Sequence, residues 1–402
     1  MRNILLICSV FPPEEVTSAG MSVDLALALS KKNNVTVLRP RPSRPAGIDY
    51  SEKRVEYKEF KCITLKSYTC PYSKMLNRFW ESTDFGIRSA YYIIKHHKNI
   101  DYIYNDGWHL FGLYIVSVVA KWLRIPYMVP IQDVYPESLL TKGININFLK
   151  KFVKTILFPL DHYTQKNAQL VRTNTTEMAS YLSETRGISL DKYLVAYNWQ
   201  NENDFSDYSN NRENNKIIFS YVGSINVHSN VDLIIKSFAK SKIKGSVMKI
   251  YGGGNKTNEC KSIVEQLNLD NVTFGYVSRN EVPQIQSESD ILILALPTGN
   301  GRLCLPSKLV SYMLSGKPVI ASVDVDCEAA KIINESGCGI VVEPDNEDSF
   351  VEGIKKIAGV QREVRCKMGT QGREYAKRVL SKESNLGKVV SRINEFLDVN
   401  KQ

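Results

Sequence analysis

Continuous apolar runs recur along the chain, and amphipathic stretches separate them. They read NILLICSVF, NVTVLRP, DYIYND, PYMVPIQD and QLVRTN in the first half, then KIIFSYVG, VMKIYGGG, NVTFGYV, DILILALP, KPVIASV and CGIVVEP in the second. Because they do not alternate with polar residues, they predict strands buried on both faces, as in a parallel sheet covered by helices. The pattern lapses over 197–216, YNWQNENDFSDYSNNRENNK, where Asn, Asp and Ser dominate and a linker is expected. A chain of 402 residues also exceeds the size at which one core keeps growing. The expected fold is therefore α/β, with two doubly wound, Rossmann-like parallel-sheet domains facing an interdomain cleft. Their boundaries are 1–200 and 201–382, and a C-terminal helix at about 383–402 is able to pack back on the first.

Ligands of such sheets bind beyond the carboxyl ends of the strands, so the loops there are the places to search. In LCLPSKLVSYMLSGKPVIAS (303–322), Pro306 can occupy a first helical turn, and Ser307 and Lys308 then bring a hydroxyl and an ammonium to unpaired N–H groups. That arrangement suits an anion. Gly20 closes the loop FPPEEVTSAG before a helical run, so amides near Ser18 to Met21 could approach a phosphate; a plain turn glycine is the alternative. YVGS and YGGG follow strands, but neither is a G-x-G-x-x-G fingerprint, and no G-x-x-x-x-G-K-[ST] loop occurs. A Rossmann dehydrogenase and a nucleoside triphosphatase are thereby disfavoured. His109 in NDGWHLFG and Asp133 in IQDVYPES fall at strand tips as candidate catalytic groups, a structural histidine being the alternative for His109. Asp324-Val325-Asp326 resembles a metal pair but reads as a surface loop.

Composition adds a charge asymmetry. Residues 1–200 hold 26 Lys and Arg against 17 Asp and Glu, whereas residues 201–402 hold 26 against 25, so nearly all of the net +10 lies in the first half. An acidic membrane surface, a polyphosphate-bearing lipid or nucleic acid would each suit it, as would a merely basic surface. In FLKKFVKTILF (148–158), Lys150, Lys151 and Lys154 flank an apolar helical stripe that could lie on an anionic membrane or pack against the sheet. No apolar run is long enough to span a bilayer, and NILLICSVF runs into PPEE rather than a cleavage site, so a cytoplasmic location is expected. Eight cysteines without a C-x-x-C pair predict reduced, packed thiols and neither a disulfide framework nor a structural metal.

Taken in order, ILLICSVFPPE, VGS, IYGGG, NVTFGYVSRNEVP, SDILILAL, PSKLVSYMLSGKPVIAS and GIVVEPDNEDSF resemble a family 4 glycosyltransferase of the GT-B fold over nearly the whole chain. The PSK form and QDVYPES resemble its capsule and O-antigen branch. That resemblance implies a retaining transfer from a nucleotide sugar, UDP- favoured over GDP-, to a polyprenyl-diphosphate-linked or oligosaccharide acceptor. It implies peripheral attachment at the inner face of the plasma membrane, no cofactor or metal, and no nucleic-acid partner. The donor would be held by Ser18, Gly20, Gly223, Ser224, Gly253, Tyr276, Val277, Pro306, Ser307, Lys308 and Ser311. His109, Asp133 and Lys308 would act in catalysis, and Lys150, Lys151 and Lys154 would meet the membrane. The chain departs from the commonest pattern where Leu303 and Ser311 stand for the family's acidic pair and Ser224 and Ser229 for its Arg and Lys. A nucleotide-sugar 2-epimerase and a non-catalytic partner of a transferase complex are the alternatives.

Overall fold

The computed structural model describes residues 1–14, 16–44, 49–50, 55–70, 75–108, 110–137, 151, 153–205, 216–301 and 305–399. The chain divides into two compact units, Met1–Ala196 with Leu386–Gln402, and Tyr197–Asn385.

The first unit is built on seven parallel strands: β1 (Asn3–Cys8), β2 (Asn34–Arg39), β3 (Lys61–Thr64), β4 (Tyr102–Asp106), β5 (Tyr127–Ile131), β6 (Leu170–Thr173) and β7 (Tyr193–Val195). Their order is β3-β2-β1-β4-β5-β6-β7. The central strands are buried on both faces, which is why their sequences show no alternation. β3 and β7, absent from the sequence expectation, are the two edges; KCIT is half-exposed and YLV is three residues long, too little for a hydrophobic signal. The C-terminal helix Lys382–Val399 delivers its later turns to this unit, with the Phe396 ring 5.7 Å from Tyr102 and Asn394 accepting a 2.9 Å hydrogen bond from Asn33.

The second unit has six parallel strands: β8 (Ile217–Val222), β9 (Ser246–Tyr251), β10 (Val272–Gly275), β11 (Ile291–Ala295), β12 (Val319–Ser322) and β13 (Gly339–Val342), in the order β10-β9-β8-β11-β12-β13. Alternate residues of β11 feed two cores. Ile291 and Ile293 join Phe219, Tyr221 and Ile234 in one layer, while Leu292 and Leu294 join Leu309 and Tyr312 in the other. Helix ends follow the local chemistry: Asn346 caps the helix Glu347–Gly359 through Ser349 N, and Gly337 closes Glu328–Ser336 in the left-handed conformation.

The stretch expected to be a linker is partly core. Tyr197, Trp199 and Phe205 are buried in the second unit, Tyr197 and Phe205 in one core cluster, but in the sequence they stand singly among polar residues and so leave no apolar period; residues 206–215 lie outside the described residues. Among the described residues, no helix is long and apolar enough to cross a membrane.

Candidate functional site

In the second unit the strand order reverses between β8 and β11, the point where an open parallel sheet leaves a crevice for a ligand. Two sequence segments meet there. Gly223 directly follows β8, and Lys308 lies in the first turn of the helix Ser307–Leu314, which follows the β11 loop. The Lys308 Nζ donates a 2.7 Å hydrogen bond to the Tyr221 hydroxyl and sits 4.8 Å from the centre of that ring. The hydroxyl in turn donates to the Ser224 carbonyl at 2.6 Å. Gly223 is required by both conformation and space: its φ is +153°, and a Cβ there would stand 2.0 Å from Lys308 Cε. Among the described residues no carboxylate pairs with Lys308, and burial lowers its pKa to about 8. A half-desolvated ammonium held by one neutral hydroxyl is an unmet charge, receptive to an anion.

The surrounding loops are tied together by main-chain bonds and two aspartates. Gly223 N donates to Tyr251 O, Ile225 N to Gly253 O and Gly252 N to Gly275 O, so the turns after β8, β9 and β10 are mutually braced. Gly252 and Gly254 permit this, since a Cβ on either would fall about 2 Å from the Gly223 or Ile225 carbonyl oxygen. Asp345 accepts from Asn230 Nδ2 and from Thr298 N and Oγ1, while Asp324 accepts from Gly299 N. Asp324 is 5% exposed, so its reading as a surface-loop residue is corrected: it anchors the β11 loop.

Other residues singled out in the sequence fall as follows. Pro306 precedes the helix as its N-cap in extended backbone rather than entering the first turn, and Leu309 N donates to its carbonyl at 3.0 Å. Ser307 and Lys308 thus hold the first two helical positions, whose N–H groups have no partner within a helix. Ser311 is turned inward instead of toward the loops: it is buried, donates to Lys308 O and accepts from Gln286 Nε2 at 3.1 Å. Ser224 and Gly253 are exposed near Gly223, whereas Ser229 is buried and caps Asn226 N. Tyr276 is 85% exposed beyond the edge strand β10, and Val277 packs against the core. Tyr221 carried no signal of its own in YVGS, because its partner lies 87 residues away.

In the first unit the order reverses between β1 and β4. The helix Thr17–Ser30 begins three residues before Gly20, so Ser18 and Gly20 belong to its first turn and Gly20 does not end the loop. That helix has no side-chain N-cap bond. Glu14, buried and missed in the sequence, gathers the loop edges by accepting from the N–H groups of Phe11, Ser43 and Arg44. Arg44 pairs with the fully buried Glu81 at 2.6 Å and lies 4.1 Å over the Trp108 ring. At the tip of β4, burial pushes Asp106 up to about 7 against the opposing pull of Arg172. Asp133 is exposed past β5, and His109 lies outside the described residues. Of the candidate membrane lysines, Lys150 lies outside the described residues, and Lys151 and Lys154 are exposed. Part of the adjoining stripe is inward: Val153 and Leu157 pack on Leu110, while Ile156 is 49% exposed. Among the described residues, no group of three or more His, Cys, Asp or Glu is placed to hold a metal ion.

Two parallel sheets with helices on both faces, one carrying at its switch point a lysine that no carboxylate among the described residues pairs, define a doubly wound α/β protein. The class is narrower than that. Residues 202–375 match the family described as Glycosyl transferases group 1, so the second unit carries a domain of that family and the chain is a glycosyltransferase. Over 290 residues it is 23% identical to the Escherichia coli (strain K12) protein named colanic acid biosynthesis glycosyl transferase WcaI, covering 69% of this chain and 70% of that one. In structure it is similar to sucrose-phosphate synthase from Thermosynechococcus elongatus, with a TM-score of 0.75 at 16% identity and all of both chains covered. It is also similar to Anabaena Alr3699/HepE in complex with UDP and glucose, with a TM-score of 0.67 at 13% identity, covering 99% of this chain and 100% of that one. These likenesses establish the GT-B fold, two Rossmann-like domains in one chain.

Proposed function

We propose that this glycosyltransferase moves a sugar, with retention of anomeric configuration, from a nucleoside diphosphate sugar to a lipid-linked or oligosaccharide acceptor in bacterial surface polysaccharide synthesis. The observation that carries the reading is Lys308, held by Tyr221 against Gly223 at the switch point of the second unit. The leaving nucleoside diphosphate gains negative charge as the glycosidic bond breaks, and fixed donors aimed at that charge lower the barrier. The Lys308 ammonium and the N–H groups of Ser307 and Lys308, which have no acceptor among the described residues, supply them, so transfer needs no metal. A diphosphate beside Lys308 also restores the lysine's ordinary basicity, which couples donor binding to proton uptake. UDP is favoured over GDP because the structurally similar HepE is described with UDP. The polysaccharide assignment is supported by the WcaI name. The acceptor belongs to the first unit, where Asp133 is exposed past β5 as a candidate catalytic group, with His109 a second candidate from the sequence, and Lys151 and Lys154 are exposed for an anionic membrane at the cytoplasmic face.

The experiment is a sugar-nucleotide panel. Purified protein is scanned for thermal shifts with UDP, GDP and their sugars, and the stabilising donor is then incubated with membrane-extracted lipid-linked acceptors. Sugar transfer with an unchanged anomeric centre supports the reading. Epimerised donor formed without acceptor would replace it with the 2-epimerase, and no stabilisation by any nucleotide would replace it with a non-catalytic partner.

A further inference from the structure

The edge of the first sheet opposite the loops after β1 and β4 holds a cavity of about 700 Å³. It lies at the amino ends of β1, β4, β5 and β6, beside the last turn of the helix Phe111–Trp122, with Phe396 and Leu397 of the C-terminal helix as one wall. Its charge is one-sided. Arg2, Lys121 and Arg124 line it against a single carboxylate, Asp101, which is already engaged by Asn3 N at 2.7 Å and by Arg2 at 3.6 Å. Among the described residues, neither Lys121 nor Arg124 has a carboxylate within ion-pair distance. Two more ammonium groups stand close by: Lys192 donates to the carbonyl of Lys166. Burial first, then the charges of Lys121 and Lys166, hold the Lys192 pKa below its ordinary value, with Asp191 offsetting part of this.

Cations at the carboxyl ends of helices are ordinary, since they offset the dipole, and that accounts for Lys121 and Lys166. It accounts equally for Lys192, which donates to the Lys166 carbonyl in the last turn of its helix, and for Arg2, which donates to the Leu397 carbonyl at 3.5 Å in the last turn of the C-terminal helix. Arg124 adopts φ +58°, the left-handed conformation in which Gly or Asn is usual, with Ile125 N returning to Ala120 O at 2.9 Å. Helix ends account for each cation singly but not for their convergence: Arg2, Lys121 and Arg124 surround one open cavity with Asp101 as its one lining carboxylate among the described residues, an arrangement that an anion relieves.

We propose that this cavity is a second, phosphate-binding site, distinct from the donor loops of the second unit. Arg2, Lys121 and Arg124 take the phosphate oxygens, and Ile125, Pro126 and Phe396 take an apolar portion of the ligand. The same chemistry fits a soluble polyphosphate and the headgroup of an anionic lipid.

The test is calorimetric titration of the full chain with inorganic tripolyphosphate, in the wild type, in Lys308→Met and in the double variant Lys121→Glu/Arg124→Glu. Lys308→Met removes the donor-site cation, so binding that survives in it arises elsewhere. The double variant is expected to bind at least about tenfold more weakly, the size of one lost charge-assisted contact, while sugar transfer continues at the wild-type rate. Lys121→Arg, which keeps the charge, is expected to retain binding and controls for misfolding of the double variant. Absence of binding in Lys308→Met, or equal binding by the double variant, would overturn the proposal whether or not the protein transfers sugar. Vesicles of phosphatidylglycerol, compared with phosphatidylcholine, then identify the source. Sedimentation competed away by tripolyphosphate and lost in the double variant assigns a lipid headgroup, and sedimentation unaffected by both assigns a soluble phosphate.

Discussion

Replacing Lys308 with methionine keeps the length of the side chain and removes its charge, and the structure predicts that the protein becomes more stable as it loses activity. Burial brings the Lys308 pKa from 10.5 to about 8. The difference, 10.5 − 8, is about 2.5 pH units, and at roughly 1.4 kcal/mol per unit the charged form costs the fold about 3 kcal/mol at neutral pH. The bond to Tyr221 and the contact with its ring return about 1 kcal/mol or somewhat more, so Lys308→Met is expected to gain about 1–2 kcal/mol. For a unit of this size that raises the melting temperature by about 2–8 °C. The gain has a pH signature. Between about pH 8 and 10.5 the unfolded wild type still binds the proton that the folded chain has released, so wild-type stability climbs with pH and the advantage of the variant shrinks. Thermal unfolding of both proteins from pH 7 to 10.5, beside initial rates of transfer, reads both effects. Turnover should drop by about tenfold to a hundredfold, as for loss of a donor aimed at developing charge. A variant that is both less stable and inactive would make Lys308 a structural residue, and one with normal turnover would remove it from the reaction.

Gly223→Ala should abolish transfer and cost about 1–3 kcal/mol, because the new methyl meets Lys308 Cε at 2.0 Å in a backbone conformation that alanine avoids; denaturant melts and transfer assays check the two effects. The wild-type kcat/KM should fall as pH rises through about 8, where free Lys308 deprotonates, and that alkaline limb should be missing from the residual activity of Lys308→Met. With its pKa at about 7, folded Asp106 keeps a proton that the unfolded chain releases near pH 4. Stability of the first unit should therefore decline by about 1 kcal/mol or more from pH 4 to 7, and Asp106→Asn should flatten that slope in denaturant titrations at both ends of the range. Excess EDTA should leave turnover unchanged, and full loss reversed by magnesium would show that a metal supplies the charge assigned to Lys308.

What the sequence disclosed depended on whether the signal was local. Buried strands such as Ile291–Ala295 were legible because all five residues are apolar, and the edge strands Lys61–Thr64 and Tyr193–Val195 were not, because a short half-exposed strand leaves no pattern. Pro306, Ser307 and Lys308 were legible as a helix start, although Pro306 stands one position further out than its residue type suggests. Ser311 and Asp324 were misread because direction is decided by distant partners: Gln286 draws one inward, and the Gly299 amide engages the other. Tyr221, the group that holds Lys308, was hidden for the same reason. Glu14 stood in a stretch read only for its glycine, and its three amide donors come from two separate loops.

The central claim, that Lys308 receives the donor diphosphate, is tested most directly by calorimetric titration of UDP at pH 8 in two buffers of different ionisation enthalpy. Free Lys308 is about half protonated at that pH, and the arriving diphosphate returns it to the ammonium form, so the account predicts uptake of roughly half a proton per UDP bound. Lys308→Met should bind UDP about tenfold or more weakly and take up none. Tight binding without proton uptake in the wild type, or equal affinity and equal uptake in the variant, would contradict it.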